Sequence, residues 1–260
     1  MGDIHYNVRD HVAHLAIDAP PVNALTVPLL DSLLIALRRA GEDQTVRAVV
    51  IESALPRFFC AGLDLTVLAD RRPDEIHAVV QRLYTELTDV MHSLGKPVIA
   101  AVGGAARGGG MTLAISCNVL LAGESASFGY PEIDSGLVPA IHFTHLPAVI
   151  GRHRAFELLF SGRSFKPDEA RELGLVSRVV ADDALVSEAQ ALGQVFAAKA
   201  PAVMRAARNA FMEANDQSYR AGVAKAVETF TAVAVSPEGR EGVRAFAEKR
   251  KPSWTTDRDQ

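Results

Sequence analysis

The sequence predicts an α/β fold, and three observations carry that prediction. Short apolar, β-branched runs read as buried strands: VRAVVIES (46–53), PVIAAVGG (97–104) and NVLLAG (118–123). Segments between them place apolar residues at helical spacing, so strand and helix alternate as parallel-type connections require. Beyond Pro201 the pattern becomes almost wholly helical.

Ile4–Val8 and Val12–Ile17 flank Arg9–His11 as a hairpin. DAPPVNALT is a loop by its prolines. Leu29, Leu30, Leu33, Leu34 and Leu37 then mark a helix, with Thr26 as N-cap and Gly41 as its stop. The loop after strand 46–53 ends in CAGLD. Ile76, Val79, Val80, Leu83, Leu87, Val90 and Leu94 lie on one face of a long helix, closed by Gly95 and Pro97. After strand 97–104, three glycines lead into a short helix and then strand 118–123. Arg154–Phe160, Pro167–Leu173 and Ala184–Ala200 read as helices, with a short strand near Ser177–Val180. PAVMRAARNAFMEAN, YRAGVAKAVETFTAVAV and PEGREGVRAFAEKR read as three more helices. The chain divides into a core over 1–200 and a helical region over 201–260, which caps the core or packs against a neighbouring subunit.

Composition narrows the function. With 260 residues, 48% hydrophobic and 22% charged, the chain buries a substantial core. A net charge of −4 and a pI near 6.1 give no general attraction to nucleic acid or anionic membranes. Two cysteines, Cys60 and Cys117, make neither a disulfide framework nor a zinc cluster. No apolar run approaches the roughly 20 residues of a membrane span. The first residues lack the basic start and apolar block of a secretory signal. The expectation is a soluble, cytoplasmic protein without bound metal.

The stretch ARGGGMTLA (106–114) carries the most chemistry. A phosphate loop would need a lysine after the glycines, and a dinucleotide site would need different spacing. A nucleophile elbow, GxSxG, does not occur. Two readings remain: a tight strand-to-helix turn, or uncovered backbone N–H groups at a helix start, aimed at negative charge on oxygen. A second N–H donor would then come from RFFCAGLDL (57–65), where Gly62 permits close approach. Asp64 there reads first as an N-cap. Glu132, after Pro131 and among apolar neighbours, is either a general base with a raised pKa or a surface charge.

Together these stretches resemble the crotonase (enoyl-CoA hydratase/isomerase) superfamily. PPVNALT, FCAGLDL, ARGGGMTLAISCNVLLAGESASFGYPEIDSGLVP, ELLFSGRSFKPDEARELGLVSRVV and FAEKRKPSW follow the family's order over nearly the whole chain. The resemblance implies a spiral of ββα units with a helical C-terminal region, assembled as a homotrimer or a dimer of trimers. It implies an acyl-CoA substrate and no separate cofactor. The oxyanion-hole N–H groups fall on Leu63 and Gly109. Ala24, Ala61, Gly62, Asp64, Leu65, Gly108 and Pro131 fall on substrate-binding positions. Lys249, Arg250 and Lys251 are either a contact for a CoA phosphate or a solvated helix end.

Hydratases of the family use two glutamates, whereas here Thr112 stands at the first position and Glu132 at the second. Threonine hydrogen-bonds water but does not take its proton near neutral pH. One glutamate is the pattern of some family isomerases, which shuttle a proton between C2 and C4 of an enoyl thioester. Isomerisation is therefore the leading reading and hydration, with Glu132 alone or helped by Thr112, the alternative. Decarboxylation, thioester hydrolysis and non-catalytic CoA or RNA binding rank lower. His142 and His145 read either as packing residues or as an auxiliary acid or base.

Overall fold

The computed structural model describes residues 2–68 and 71–254. The strands fall into two sheets and one short ladder. The larger sheet has the order β1 (Asp3–Arg9), β2 (Val12–Asp18), β4 (Ala48–Ser53), β7 (Val98–Val102), β9 (Val119–Gly123), β12 (Arg178–Val180). Only the β1–β2 hairpin is antiparallel. The smaller sheet runs β11 (Ser164–Phe165), β10 (Ser127–Gly129), β8 (Ala105–Arg107), β5 (Phe58–Cys60). A two-strand ladder joins β3 (Ala24–Leu25) to β6 (Gly62–Leu63).

The chain repeats one move. A strand enters the large sheet, the next pairs in the small sheet or the short ladder, and a helix follows. β2 and β3 lead to α1 (Val27–Glu42); β4, β5 and β6 lead to α2 (Pro73–Gln81). β7 and β8 lead to α4 (Gly109–Ile115). This is the ββα spiral that the resemblance implies. Both faces of the large sheet are covered, which explains the continuous apolar runs. Val49, Ile51, Val98 and Ala100 face the main core. Val50, Ile99 and Ala101 pack instead on Leu185 and Ala189 of α8 (Leu185–Ala197).

Three helices differ from their sequence reading. α1 runs through Gly41 and ends at Glu42, with Asp43 as C-cap. Gly41 serves packing instead, since a Cβ there would sit 3.3 Å from Leu94 Cδ1. The helix read over 76–94 is α2 and α3 (Leu87–Ser93) joined through a π turn at Arg82–Glu86. The two helices read after Pro201 form one helix, α9 (Pro201–Ala234). The junction between them, Asp216–Ser218, holds neither proline nor glycine to interrupt it. α9 crosses α2, the π turn and α5 (His142–Ile150), and α10 (Pro237–Ala247) packs on the turns bearing Leu65 and Glu132. The remaining helices are α6 (Arg152–Ser161) and α7 (Pro167–Glu172). None of the described helices is long and apolar enough to cross a membrane.

Asn23 ties the loop before β3 to the core. It is fully buried with a positive φ of 54°. Its amide donates to Ser53 Oγ (2.7 Å) and the Phe59 carbonyl (3.0 Å), and its oxygen accepts from the Ala19 N–H (2.7 Å). Removing it orphans several buried groups at once. Asn23→Ala is expected to cost about 3 kcal/mol, or about 6 °C or more in Tm, measured by thermal denaturation.

Candidate active site

Parallel pairing of β8 with β10 brings the two key turns together. Gly129 lies opposite Arg107, and the Gly108 N–H donates to the Gly129 carbonyl (3.2 Å). The chain after β8 therefore turns into α4 beside the chain leaving β10. That second chain enters a 3₁₀ turn, Pro131–Ser135, whose first turn carries Glu132 and Asp134.

The three glycines have separate reasons. Gly108 is the N-cap of α4 at φ 49°, a conformation that favours glycine. A Cβ there would lie 3.2 Å from Glu132 Oε1, so the carboxylate rests directly over Gly108. A Cβ on Gly110 would lie 2.2 Å from the Cys60 carbonyl, an approach that only glycine allows. Gly109 opens the helix. The first intrahelical bond runs from the Thr112 N–H to the Gly108 carbonyl (3.1 Å), which leaves the Gly109 N–H outside the helical ladder.

Leu63 supplies the neighbouring N–H. The Asp64 N–H donates to the Leu25 carbonyl (3.1 Å). Successive strand N–H groups alternate in direction, so the Leu63 N–H points away from β3, toward the start of α4. A Cβ built on Gly109 would be 3.1 Å from the Leu63 nitrogen, and one on Gly62 would be 3.0 Å from the Gly109 nitrogen. Two backbone donors thus lie side by side, with Leu83 Cδ2 beside them, 3.0 Å from a Cβ built on Gly109.

These elements enclose a cavity of about 300 Å³. Ala24, Ala61, Gly62, Leu63, Asp64, Leu65, Gly108, Gly109, Pro131 and Glu132 all line it. Asp64 also accepts from the Thr66 N–H (3.0 Å) and hydroxyl (2.8 Å), capping the turn that follows. Thr112 is not among the lining residues. Its hydroxyl is buried against His142 Nε2 (3.3 Å), behind the cavity wall. Arg250 is held by Glu241 (2.7 Å) and Glu248 (2.6 Å). Among the described residues, no cluster of three or more His, Cys, Asp or Glu could hold a metal ion.

Several lining residues escaped sequence reasoning. The π turn places consecutive residues, Leu83 and Tyr84, on the cavity. Phe230 of α9 meets the Tyr84 ring edge-on at 6.1 Å, and Phe246 of α10 also lines the wall. Ser135 and Leu137 follow Glu132. The PEIDSGL run placed them near Glu132 but gave no sign of which way they turn.

Electrostatics single out Glu132. Its residue is half-buried, yet Oε2 is enclosed and has no hydrogen-bond partner. Burial raises its pKa from the usual carboxylate range to about 7, opposed by a backbone hydrogen bond of its own residue. Burial, with the Glu132 charge adding, also raises the Tyr84 and Tyr130 hydroxyls, which stay protonated. The cavity thus holds a carboxylate poised near neutrality, two free N–H donors and otherwise largely apolar walls.

A carboxyl whose folded pKa exceeds its unfolded value binds its proton more tightly when folded. Its contribution to stability is present below pH 4.5 and lost as pH rises toward 7. Glu132→Gln removes this loss. The stability gap between variant and wild type is expected to widen in the variant's favour between pH 4.5 and 7, by on the order of 3 kcal/mol. Urea unfolding at several pH values checks this, and parallel profiles would contradict the raised pKa.

Comparison with known proteins agrees with this geometry. The family model described as enoyl-CoA hydratase/isomerase matches residues 7–257. The chain is 34% identical to a probable enoyl-CoA hydratase of Bacillus subtilis over 256 residues, covering 98% of this chain and 99% of that protein. It is 33% identical to the 2,3-dehydroadipyl-CoA hydratase of Escherichia coli, with the same coverage. The crystal structure of an enoyl-CoA hydratase/isomerase from Pseudoalteromonas atlantica superposes with a TM-score of 0.86 at 29% identity, covering 97% of this chain and 100% of that one. The chain belongs to the enoyl-CoA hydratase/isomerase family, within the crotonase superfamily.

Proposed function

We propose that the protein isomerises enoyl-CoA thioesters through an enolate, with Glu132 as the only acid/base. The observation that carries this reading is the Glu132 carboxylate enclosed beside two backbone donors, while Asp64, the other carboxylate lining the cavity, is tied to Thr66 and Thr112 lies outside it. The thioester oxygen accepts from the Leu63 and Gly109 N–H groups. Glu132 breaks the C2–H bond of a 3-enoyl thioester, and the electron pair passes through the carbonyl to the oxygen. The conjugated enolate then takes the proton back from Glu132 at C4. The carbonyl re-forms and the double bond lies between C2 and C3. Preorganised donors stabilise charge only as it develops, which favours the transition state over bound substrate.

Hydration is the second reading, favoured by the hydratase names of the two relatives above. There Glu132 would take a proton from water as oxygen attacks C3, then protonate C2 of the enolate. Both readings share the enolate and the oxyanion hole. A homotrimer or dimer of trimers belongs to the same proposal; the exposed Val203 and Phe211 of α9 offer apolar surface for such contacts.

In this reading kcat/KM for 3-enoyl-CoA rises with pH and levels off above an apparent pKa of about 7. Glu132→Gln is expected to lose about 10³-fold in turnover with substrate binding retained. Turnover in the variant close to wild type would remove Glu132 from the mechanism.

A further inference from the structure

A second cavity, of about 170 Å³, lies behind the first, among α3, the end of α4, α5 and α9. Thr88, His92, Ser116, Asn118 and His145 are among its lining residues. Its distinction is the number of polar atoms left without partners. Eight buried side-chain polar atoms among the described residues have none, and six of them form two neighbouring groups. Thr88 Oγ1, His92 Nδ1 and His145 Nδ1 belong to residues of this second cavity. Glu132 Oε2, Tyr130 Oη and His142 Nδ1 lie beside the first.

α5 links the groups. His142 and His145 stand three residues apart, so they occupy one face of the helix. The His142 ring meets Tyr130 at 4.6 Å and holds Thr112 Oγ1 at Nε2 (3.3 Å). One turn along α4, the Ser116 hydroxyl donates to the Thr112 carbonyl (2.7 Å) and belongs to the second cavity. Buried polar atoms without protein partners are ordinarily satisfied by ordered water, and 170 Å³ holds about five waters. Burial, reinforced by His145, keeps His142 neutral. A neutral imidazole accepts a proton at one nitrogen while releasing one at the other, so it passes protons without gaining charge.

We infer that this strip of Tyr130, Thr112, His142, His145 and the water-filled second cavity is a proton conduit between Glu132 and solvent. The inference rests on Glu132 being the acid/base. Isomerisation itself returns the proton at C4, but a thioester in the front cavity covers Glu132 from that side, so any exchange of the proton with solvent between C2 and C4 takes another route. After taking a proton from C2, the Glu132 carboxyl gives it to a water of the strip, and the carboxylate takes a solvent proton in return. One O–H bond breaks and one forms, and nothing is oxidised or reduced. His142 and His145 act through water and are not catalytic residues.

The test is solvent exchange. trans-3-Hexenoyl-CoA is incubated with the enzyme in D₂O, and deuterium is counted by mass spectrometry in recovered substrate and product. Wild type is expected to place solvent deuterium at C2 and C4 in a substantial share of turnovers. His145→Leu and His142→Leu are expected to lower deuterium per turnover by about tenfold, while His145→Leu keeps the wild-type turnover rate. Wild-type product and substrate free of deuterium would overturn the conduit, as would equal incorporation in wild type and His145→Leu. Glu132→Gln separates the two ideas. If it keeps isomerising, the base assignment fails. If it stops while deuterium content ignores both histidines, only the conduit fails.

Discussion

The site depends on one short parallel pairing, β8 with β10. Three residue pairs, from Ala105 opposite Ser127 to Arg107 opposite Gly129, bring both strands to an end at the same level. The chain after one becomes the glycine turn, and the chain after the other becomes the 3₁₀ turn bearing Glu132. Arg107 reinforces the pairing, since its guanidinium donates to the Ser127 carbonyl (2.7 Å) and hydroxyl (2.9 Å). A carboxylate laid over a backbone without a Cβ is the result. Enclosure raises its pKa to about 7. The missing Cβ atoms of Gly62 and Gly109 likewise let the Gly109 and Leu63 N–H groups lie side by side. The enclosed carboxylate and the paired N–H groups thus follow from one constraint.

Much of this was legible in the sequence, for identifiable reasons. Strands buried on both faces must be apolar throughout, so β4, β7 and β9 stood out as continuous runs. The triple glycine stood out because Gly108 needs a positive φ and Gly110 touches a carbonyl. Asp64 reads as an N-cap from its place before a potential helix, and it accepts from the Thr66 N–H. The family resemblance supplied what spacing alone did not, namely that Leu63 and Gly109 come together across the fold.

Other features left no local mark. A π turn inserts one residue into an otherwise helical pattern, and no residue type announces it, so the face read over 76–94 did not include Tyr84. Phe230 and Phe246 reach the cavity only because α9 and α10 fold back over the core, a long-range fact. The resemblance sets Thr112 at the position of a hydratase's first glutamate. Its partner, His142, is 30 residues away and brought close by tertiary packing. Neither Thr112 nor His142 lines the cavity, whereas Glu132 does.

The proposed function turns on Glu132 acting as the one acid/base. The most direct measurement is a paired assay on one enzyme preparation, following 2-enoyl-CoA and 3-enoyl-CoA of matched chain length spectroscopically. The account predicts that the double bond of the 3-enoyl substrate migrates to C2 faster than the 2-enoyl substrate takes up water. Hydration of the 2-enoyl substrate with no migration in the 3-enoyl substrate would contradict it.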